Sequence, residues 1–338
     1  MLSLNEVWFL LIAVLFVGFF FLEGFDFGVG MSVKLLARKE VERRVLINTI
    51  GPFWDANEVW LITAAGAMFA AFPHWYSTMF SGYYIPLALV LLALIGRGVA
   101  FEFRSKLERA AWKKAWDWAI FIGSVMPPLM FGMMLAASVK GVPVGGDMEM
   151  DAGFTDVVNG YTVWAGVTVT ALCWWHGLTF VGLRTEGDLR ERAHRMAWRL
   201  LPVLAVLLSG HLAWTVAATD LFARRGVLMT AMTVAGAGAL AAAGWFVRRG
   251  RDGWAFSLSG ALVIVTVAAL FAGLFPRVMV SSIDRAYDLT LHNAAASPTT
   301  LKAMTMVTAA LLPFVLGYMI WSYIVFRKRV SEKEHLEY

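Results

Sequence analysis

Four carboxylic acids interrupt apolar stretches of this sequence, at positions where their spacing allows shared chemistry. Glu23 and Asp26 follow an apolar run over residues 7–22. Asp55 and Glu58 stand immediately before a second run. Each pair is spaced i,i+3, so in a helix both members lie on one face. Carboxylates placed in this way can pass protons, bind a coupling cation or complement a helix terminus.

The apolar runs beside these acids are too short to cross a membrane alone. Residues 7–22 number 16 and residues 59–72 number 14, whereas a spanning helix needs about 20 residues. Completing each span draws the acids below the membrane surface. An ionised group there costs roughly 2.5–3.5 kcal/mol at mid-bilayer. The acids therefore require a partner, a proton or water.

Arg97, at the inner end of the third predicted helix, offers the acids an opposite charge at the same depth. Three interpretations are open at this point. Asp55 and Glu58 could complement the start of a helix opened by Pro52, with Arg97 as a structural counter-ion. This structural interpretation has most weight for Glu58 and Glu23. The acids could relay protons from the cytoplasm, which we favour for Asp26 and Asp55. They could also form the coupling-ion site of a transporter.

The composition is that of an integral membrane protein. The 338 residues are 59% hydrophobic and 16% charged, with a mean hydropathy of +0.66, whereas soluble domains carry about 25% charged residues. Cys173 is the single cysteine, which excludes an intrachain disulfide and a CxxC metal or haem-attachment motif. No cleavable signal is expected, because the first apolar segment lacks a basic start.

Nine apolar segments predict an all-α protein that crosses the membrane about nine times, since only helices satisfy their backbone polar groups within one segment. The predicted segments are 6–32, 53–72, 76–97, 117–139, 160–183, 199–219, 226–247, 254–276 and 303–326.

The basic residues predict how the chain is oriented. Of the 29 Lys and Arg residues, 23 fall on one side of the predicted membrane and six on the other. The richer side is normally cytoplasmic, which predicts an outer N-terminus and a cytoplasmic C-terminus. The same asymmetry accounts for the net charge of +5 without a nucleic-acid partner.

A faint internal repeat predicts the domain organisation. Residues 23–27 resemble residues 176–180, and both stretches end an inward-running helix before a basic loop. This indicates two four-helix units in parallel repeat with a peripheral ninth helix. The predicted units are residues 1–140, which carry the acidic layer; residues 141–276; and residues 277–338, with an outer loop, the ninth helix and the tail.

Two intramembrane histidines, His176 and His211, are candidate axial ligands to haem. They match poorly in depth, because His176 should lie towards the inner side and His211 towards the outer side. A hydrogen-bonded buried imidazole is the simpler interpretation for each. No histidine pair has zinc spacing, and no metal site is predicted. Trp54 is the tryptophan beside the acids that is better suited to stack on a quinone ring.

Several stretches resemble subunit II of cytochrome bd-type quinol oxidases. The likeness spans the chain and is thinnest over about 140–255. Its motifs are GFDFGVG (24–30), GPFWDANEVWL (51–61), FAAFP (69–73), Arg97 with FEFRSK (101–106), WDW (116–118) and LTLHNA (289–294).

The resemblance implies a terminal oxidase of the bacterial plasma membrane, which oxidises quinol on the outer side and reduces dioxygen with protons from the cytoplasm. It implies that haem b and haem d are bound mainly by a partner, subunit I. It also implies that subunit II can hold a quinone, and that lipid and small accessory subunits are further partners.

The resemblance carries a proton path onto Asp26 and Asp55, with Arg97 holding them ionised or hydrogen-bonded and with Glu23 and Glu58 as further candidates. The alternative function is a proton-coupled secondary transporter that uses the same acids. It is disfavoured because Gly- or Pro-broken segments do not recur at corresponding positions in the two halves.

Overall fold

A computed structural model describes residues 2–331 and 336 and confirms the all-α class. Two 3₁₀ turns, Arg104–Lys106 and Arg285–Tyr287, and a two-stranded antiparallel sheet complete the fold. The strands are β1 (Arg277–Met279) and β2 (Leu289–Thr290). The helices in the described residues are α1 (Leu4–Leu35), α2 (Glu40–Ile50), α3 (Trp54–Ala71), α4 (Pro73–Gly82), α5 (Tyr84–Phe103), α6 (Ala110–Lys140), α7 (Phe154–Val157), α8 (Gly160–Arg184), α9 (Gly187–Ala218), α10 (Leu221–Arg248), α11 (Asp252–Leu274) and α12 (Pro298–Val325).

Eight helices in the described part of the chain are long and apolar enough to cross a membrane: α1, α5 with its 3₁₀ turn, α6 and α8 to α12. The predicted second span is α3, which has 18 residues. At 1.5 Å per residue it is about 27 Å long, close to the thickness of the hydrocarbon core. Its polar first turn lowers its hydropathy below that of the other eight.

The third predicted span, 76–97, is wrong in its bounds. Pro73 occupies the first position of a separate helix, α4, where its fixed φ is favourable and its missing N–H costs nothing. The chain then leaves helical geometry at Tyr83, and α5 begins at residue 84. Arg97 consequently lies inside α5, six residues before its end, rather than at a helix terminus.

Helix α1 lies at the centre of the helix packing. It contacts α3, α6, α8 and α11. The pairs α1–α3, α5–α6 and α1–α6 have counterparts in α8–α9, α10–α11 and α8–α11. This pattern supports the division into two four-helix units, which stays a prediction.

Two glycines allow α1 and α8 to cross at backbone contact. A Cβ added to Gly28 would lie 2.3 Å from the carbonyl oxygen of Cys173 and 2.6 Å from the Cα of Gly177. Beside this crossing the rings of Phe25 and Phe180 stack with centroids 4.1 Å apart. Small residues at helix contacts are the usual way in which membrane helices approach closely. The crossing fixes α1, and with it Glu23 and Asp26.

We expect Gly28→Ala to destabilise the protein by about 1–3 kcal/mol, because a methyl group must force two backbones apart. The measurement is the thermal midpoint of the detergent-solubilised complex. Gly24→Ala is the matched control on the same helix, since its Cβ would meet only the Sγ of Cys173, at 3.5 Å. Equal midpoints for the two variants would show that the crossing is not tight.

A buried arginine ties the loop before α12 to the turn between α9 and α10. Arg277 donates to Asp220 at 2.6 Å and to Asp288 at 3.4 Å. The Arg277 side chain is 4% exposed. Its hydrogen bond to Asp220 lowers the pKa of that carboxyl.

Acidification should therefore loosen this loop. Because the folded pKa of Asp220 lies below the unfolded value of about 3.9, its stabilisation is present above that value and is lost as the pH falls through the folded pKa. Asp220→Asn should cost about 1.5–3 kcal/mol at neutral pH and progressively less below about pH 4. Thermal midpoints across a pH series test this, with the exposed Asp151→Asn as control. A deficit that did not shrink in acid would contradict it.

Candidate functional site

Arg97 of α5 joins three helices through its guanidinium group. Its Nη2 donates to Glu23 of α1 and to Oε1 of Glu58 of α3, the latter at 2.9 Å. The side chains of Arg97 and Glu23 are 0% exposed, and that of Glu58 is 19% exposed. The guanidinium also lies over the rings of Phe27 and Phe101, 4.7 and 5.7 Å from their centroids. These contacts hold the charge by ion pairing and cation–π attraction.

Asp26 belongs to a second branch of the same site. It follows Glu23 by one turn of α1 and is fully buried. Its Oδ2 accepts from Nδ2 of Asn57 at 2.7 Å, and Oδ1 of Asn57 accepts from the hydroxyl of Tyr323 at 2.8 Å. The Tyr323 ring stacks on Phe53 at 4.3 Å with an interplanar angle of 1°. The branch thus leads from α1 through α3 to α12.

Several polar atoms of this site have no hydrogen-bond partner among the described residues. They are Oε2 of Glu23, Oδ1 of Asp26, and Nε and Nη1 of Arg97. Buried polar atoms are normally paired, and unpaired ones mark strain, catalysis or bound solvent. An unpaired carboxyl oxygen can take a proton, so the site has the chemistry of proton exchange.

The chain matches the family model for cytochrome bd terminal oxidase subunit II over residues 4–326. It belongs to that family. Similar proteins include cytochrome bd ubiquinol oxidase subunit 2 of Bacillus subtilis (strain 168), 54% identical over 338 residues and covering 100% of both chains. Cytochrome bd-I ubiquinol oxidase subunit 2 of Escherichia coli (strain K12) is 34% identical, covering 98% of this chain and 96% of that protein.

The fold has a match among solved structures. The structure of bd oxidase from Geobacillus thermodenitrificans aligns with a TM-score of 0.75 at 17% identity, over 97% of this chain and 100% of that chain. As a bd oxidase subunit II, the chain is a multi-pass membrane protein of a haem-containing respiratory terminal oxidase, and it works in complex with subunit I.

The acids of this subunit II do not all share one site. The structure brings Glu23, Asp26, Glu58 and Arg97 together, while Asp55 lies on the exposed side of α3. The hydrogen bonds of Arg97 go to the two glutamates, not to the two aspartates that the sequence analysis assigned to it. The reason is the rotation of α3 about its axis. Asp55 lies on the same exposed side of this helix as Val59, Ile62 and Phe69.

Two residues of the site, Asn57 and Tyr323, escaped the sequence analysis. Both side chains are neutral. Asn57 lies in a segment that attracted attention for its acids, and Tyr323 lies in a segment predicted to span the membrane because it is apolar. The available signal is a buried hydroxyl or amide in a membrane helix, which needs a partner. Trp54 is half-buried, and its ring lies 5.3 Å from that of Phe101. Its contact with a quinone stays a prediction.

His176 has both ring nitrogens engaged within subunit II. Nδ1 is 2.7 Å from Oγ of Ser259, and Nε2 is 3.1 Å from the carbonyl oxygen of Phe21. The imidazole also stacks on Phe256, with centroids 4.9 Å apart. It is a hydrogen-bonded buried imidazole, the simpler of the two interpretations. To bind iron it would have to give up one of these contacts.

His211 lies in a different environment. It stacks on Tyr161 and lines an apolar cavity of about 800 Å³ among α6 and α8 to α11. Its Nδ1 has no hydrogen-bond partner in the described part of the chain. His176 is eight residues before the end of α8 and His211 is 24 residues after the start of α9. Their depths differ by roughly 24 Å, which does not fit a haem held between them.

No metal centre is formed by the described residues. Residues 2–331 and 336 contain no group of three or more His, Cys, Asp or Glu side chains arranged to hold a metal ion.

Proposed function

We propose that this subunit supports the haem-bearing subunit I and provides a proton inlet for a quinol:dioxygen oxidoreductase. The observation that carries the proposal is the buried site of Glu23, Asp26, Glu58 and Arg97. Haem b and haem d would reside in subunit I, because His176 and His211 of this chain are not placed to hold a haem between them. The residues of this chain would hold and move protons, not electrons.

The charges of the site favour proton exchange. Three carboxyl groups face one guanidinium, so full ionisation would leave excess negative charge inside the membrane. Such charge is expensive there, whereas a carboxyl group can remove it by taking a proton. Asp26 lies nine residues before the inner end of α1, about 14 Å along the helix. This depth suits a group that receives protons from the nearer surface.

The direction of uptake rests on the proposed orientation. The larger share of Lys and Arg residues favours an N-terminus on the outer side and a cytoplasmic end of α1 at residue 35. Protons for water formation would then enter from the cytoplasm, while quinol protons leave on the outer side. Uptake of protons on one side and release on the other would by itself separate charge across the membrane, without a proton pump.

The exposed Asp55 indicates where subunit I docks. Ile62 and Phe69, on the same face of α3, are 69% and 62% exposed. A carboxylate on a face turned to lipid is costly, and a partner that covers it removes the cost. We place subunit I against this face, with Asp55 extending the proton path across the contact. Lipid and any accessory subunit would take other faces.

A quinone would occupy the cavity beside His211. Its volume of about 800 Å³ and apolar lining suit a ring with an isoprenoid chain, and His211 could donate to a carbonyl oxygen. A bound quinone supplies two-electron redox chemistry. We place it here rather than at Trp54, because Trp54 does not line the cavity.

Purification of the whole complex through a tag on this chain tests these proposals together. We expect haem b and haem d bands in the visible spectrum, quinol-driven oxygen consumption and extractable quinone. A transporter would instead purify without haem and bind a solute as an isolated chain. A colourless preparation without oxidase activity would overturn the proposed function, and a quinone-free active complex would overturn the cavity assignment alone.

A further inference from the structure

The hydrogen bonds that connect Asp26 to α12 have a definite direction. The hydroxyl of Tyr323 donates to Oδ1 of Asn57, and Nδ2 of Asn57 donates to Oδ2 of Asp26. An ionised carboxylate only accepts, an amide has one donating and one accepting end, and a hydroxyl can do either. The observed order is therefore the one that an ionised Asp26 requires.

Protonation of Asp26 at Oδ2 reverses the direction of its hydrogen bond with Asn57. When the proton is on Oδ2, the carboxyl O–H becomes a donor towards Asn57, for which the oxygen of the amide is the suitable acceptor. A half-turn of that amide brings its oxygen to Asp26 and its nitrogen to Tyr323. The hydroxyl of Tyr323 can accept in this second arrangement as readily as it donates in the first. Both hydrogen bonds are kept in both protonation states.

We propose that Asn57 is an amide switch whose orientation follows the proton on Asp26, and that Tyr323 is the positioning residue that satisfies both orientations. The proposal rests on the proposed proton inlet. It goes further, because it assigns the gating of that inlet to two neutral residues. It also gives a function at the site to α12, most of whose length is not buried by the rest of this chain.

The geometry around the amide supports a two-state element. Asn57 is 0% exposed, so neither end of its amide can turn to bulk solvent instead. Tyr323 is held by its stack on Phe53, which keeps the hydroxyl in place while the amide turns. Oδ2 of Asp26 is the oxygen that meets the amide, so the switch follows a proton carried on Oδ2, while Oδ1 makes no hydrogen bond among the described residues.

Other charged groups also act on Asp26. Glu23, Glu58 and Arg97 lie within its electrostatic reach on α1, α3 and α5. Arg184 of α8 acts on Tyr323. These groups also act on the proton equilibrium of Asp26, while the Asn57 amide keeps a hydrogen bond to Asp26 in either protonation state.

The test uses Tyr323→Phe in the whole oxidase complex, since Phe keeps the stack on Phe53 and removes only the hydroxyl. We expect quinol-driven oxygen consumption at neutral pH to fall about three- to tenfold. The alkaline limb of its pH profile should move upwards by up to about one unit, because the hydroxyl supports a charge-assisted hydrogen bond to the ionised carboxylate that is stronger than the bond to the neutral carboxyl. The haem spectrum should not change. The matched control is Tyr318→Phe on the same helix, whose residue is 65% exposed.

A second variant, Asn57→Leu, removes both ends of the amide at similar volume. The double variant Asn57→Leu with Tyr323→Phe should lose little more oxygen consumption than Asn57→Leu alone, because the effects of two residues in one hydrogen-bond network are not additive. Infrared difference spectra across a pH titration should show an Asn57 amide band that moves together with the Asp26 carboxyl band. That joint movement should be absent in Asn57→Leu.

Tyr323→Phe with the pH profile of Tyr318→Phe would overturn the switch, as would an Asn57 amide band that ignores pH. Either result in an active wild-type complex leaves the proposed oxidase function intact. A wild-type complex without oxidase activity removes the proposed function instead, and the infrared titration, which needs no turnover, still decides the switch.

Discussion

Arg97→Met is expected to prevent stable assembly of the subunit, at a cost of about 3–5 kcal/mol. Methionine fills much of the space that the arginine side chain occupies beside Phe27 and Phe101, but it lacks the guanidinium. Glu23 and Glu58 would then face each other without a counter-charge, Glu23 at 0% exposure. Removing one partner of a buried ion pair costs more than the pair contributes, because an uncompensated charge is left behind. The measurement is the amount and thermal midpoint of the complex in membranes.

Two further variants separate charge from packing in this prediction. Arg97→Lys should recover only part of the stability, since one ammonium group cannot reproduce the planar geometry of a guanidinium that serves two glutamates. Arg97→Gln combined with Glu23→Gln should recover more stability than Arg97→Gln alone, because it removes both buried charges. A complex of Arg97→Met that accumulated and melted as the wild type does would refute the electrostatic explanation.

The burial of the site was predictable from sequence, whereas the pairing of its side chains was not. The short apolar runs beside Glu23 and Asp26 indicate that these acids lie within the membrane, and the structure buries both. Pairing depends on how α3 is rotated about its axis. Apolar residues surround α3 on all sides, so no periodicity shows which face turns inward. For that reason Asp55 and Glu58 could not be told apart before the structure.

Local stereochemistry explains the other differences. Helix α2 is short and amphipathic, so a search for apolar spans passes over it. The predicted spans leave Pro73 unassigned, although proline is well suited to the first position of a helix. The contact of Tyr323 with Asn57 joins residues 266 positions apart, which no local pattern in one sequence can show. Helices whose position depends on hydrophobicity could thus be predicted from the sequence, whereas side-chain contacts between distant helices could not.

Asp26→Asn should lower quinol-driven oxygen consumption by about a hundredfold or more, the lower end of what positioned proton transfer contributes. The substitution keeps the size of the side chain and its capacity to accept from Asn57, but an amide cannot take up and release a proton. The haem spectrum should be unchanged, since no haem is held at this site. The measurements are oxygen consumption in detergent and proton uptake from the inner side of vesicles that contain the complex.

Asp26→Glu is the matched variant, because it restores an ionisable group at the cost of one extra methylene in a packed site. It should recover a substantial part of the turnover that Asp26→Asn loses. Full turnover in Asp26→Asn would remove Asp26 from the path and leave Glu23 and Glu58 as its carriers. Loss of haem in both variants would instead mean that Asp26 is needed for assembly. Reduced turnover with intact haem, restored by the acid and not by the amide, is the result that only proton transfer explains.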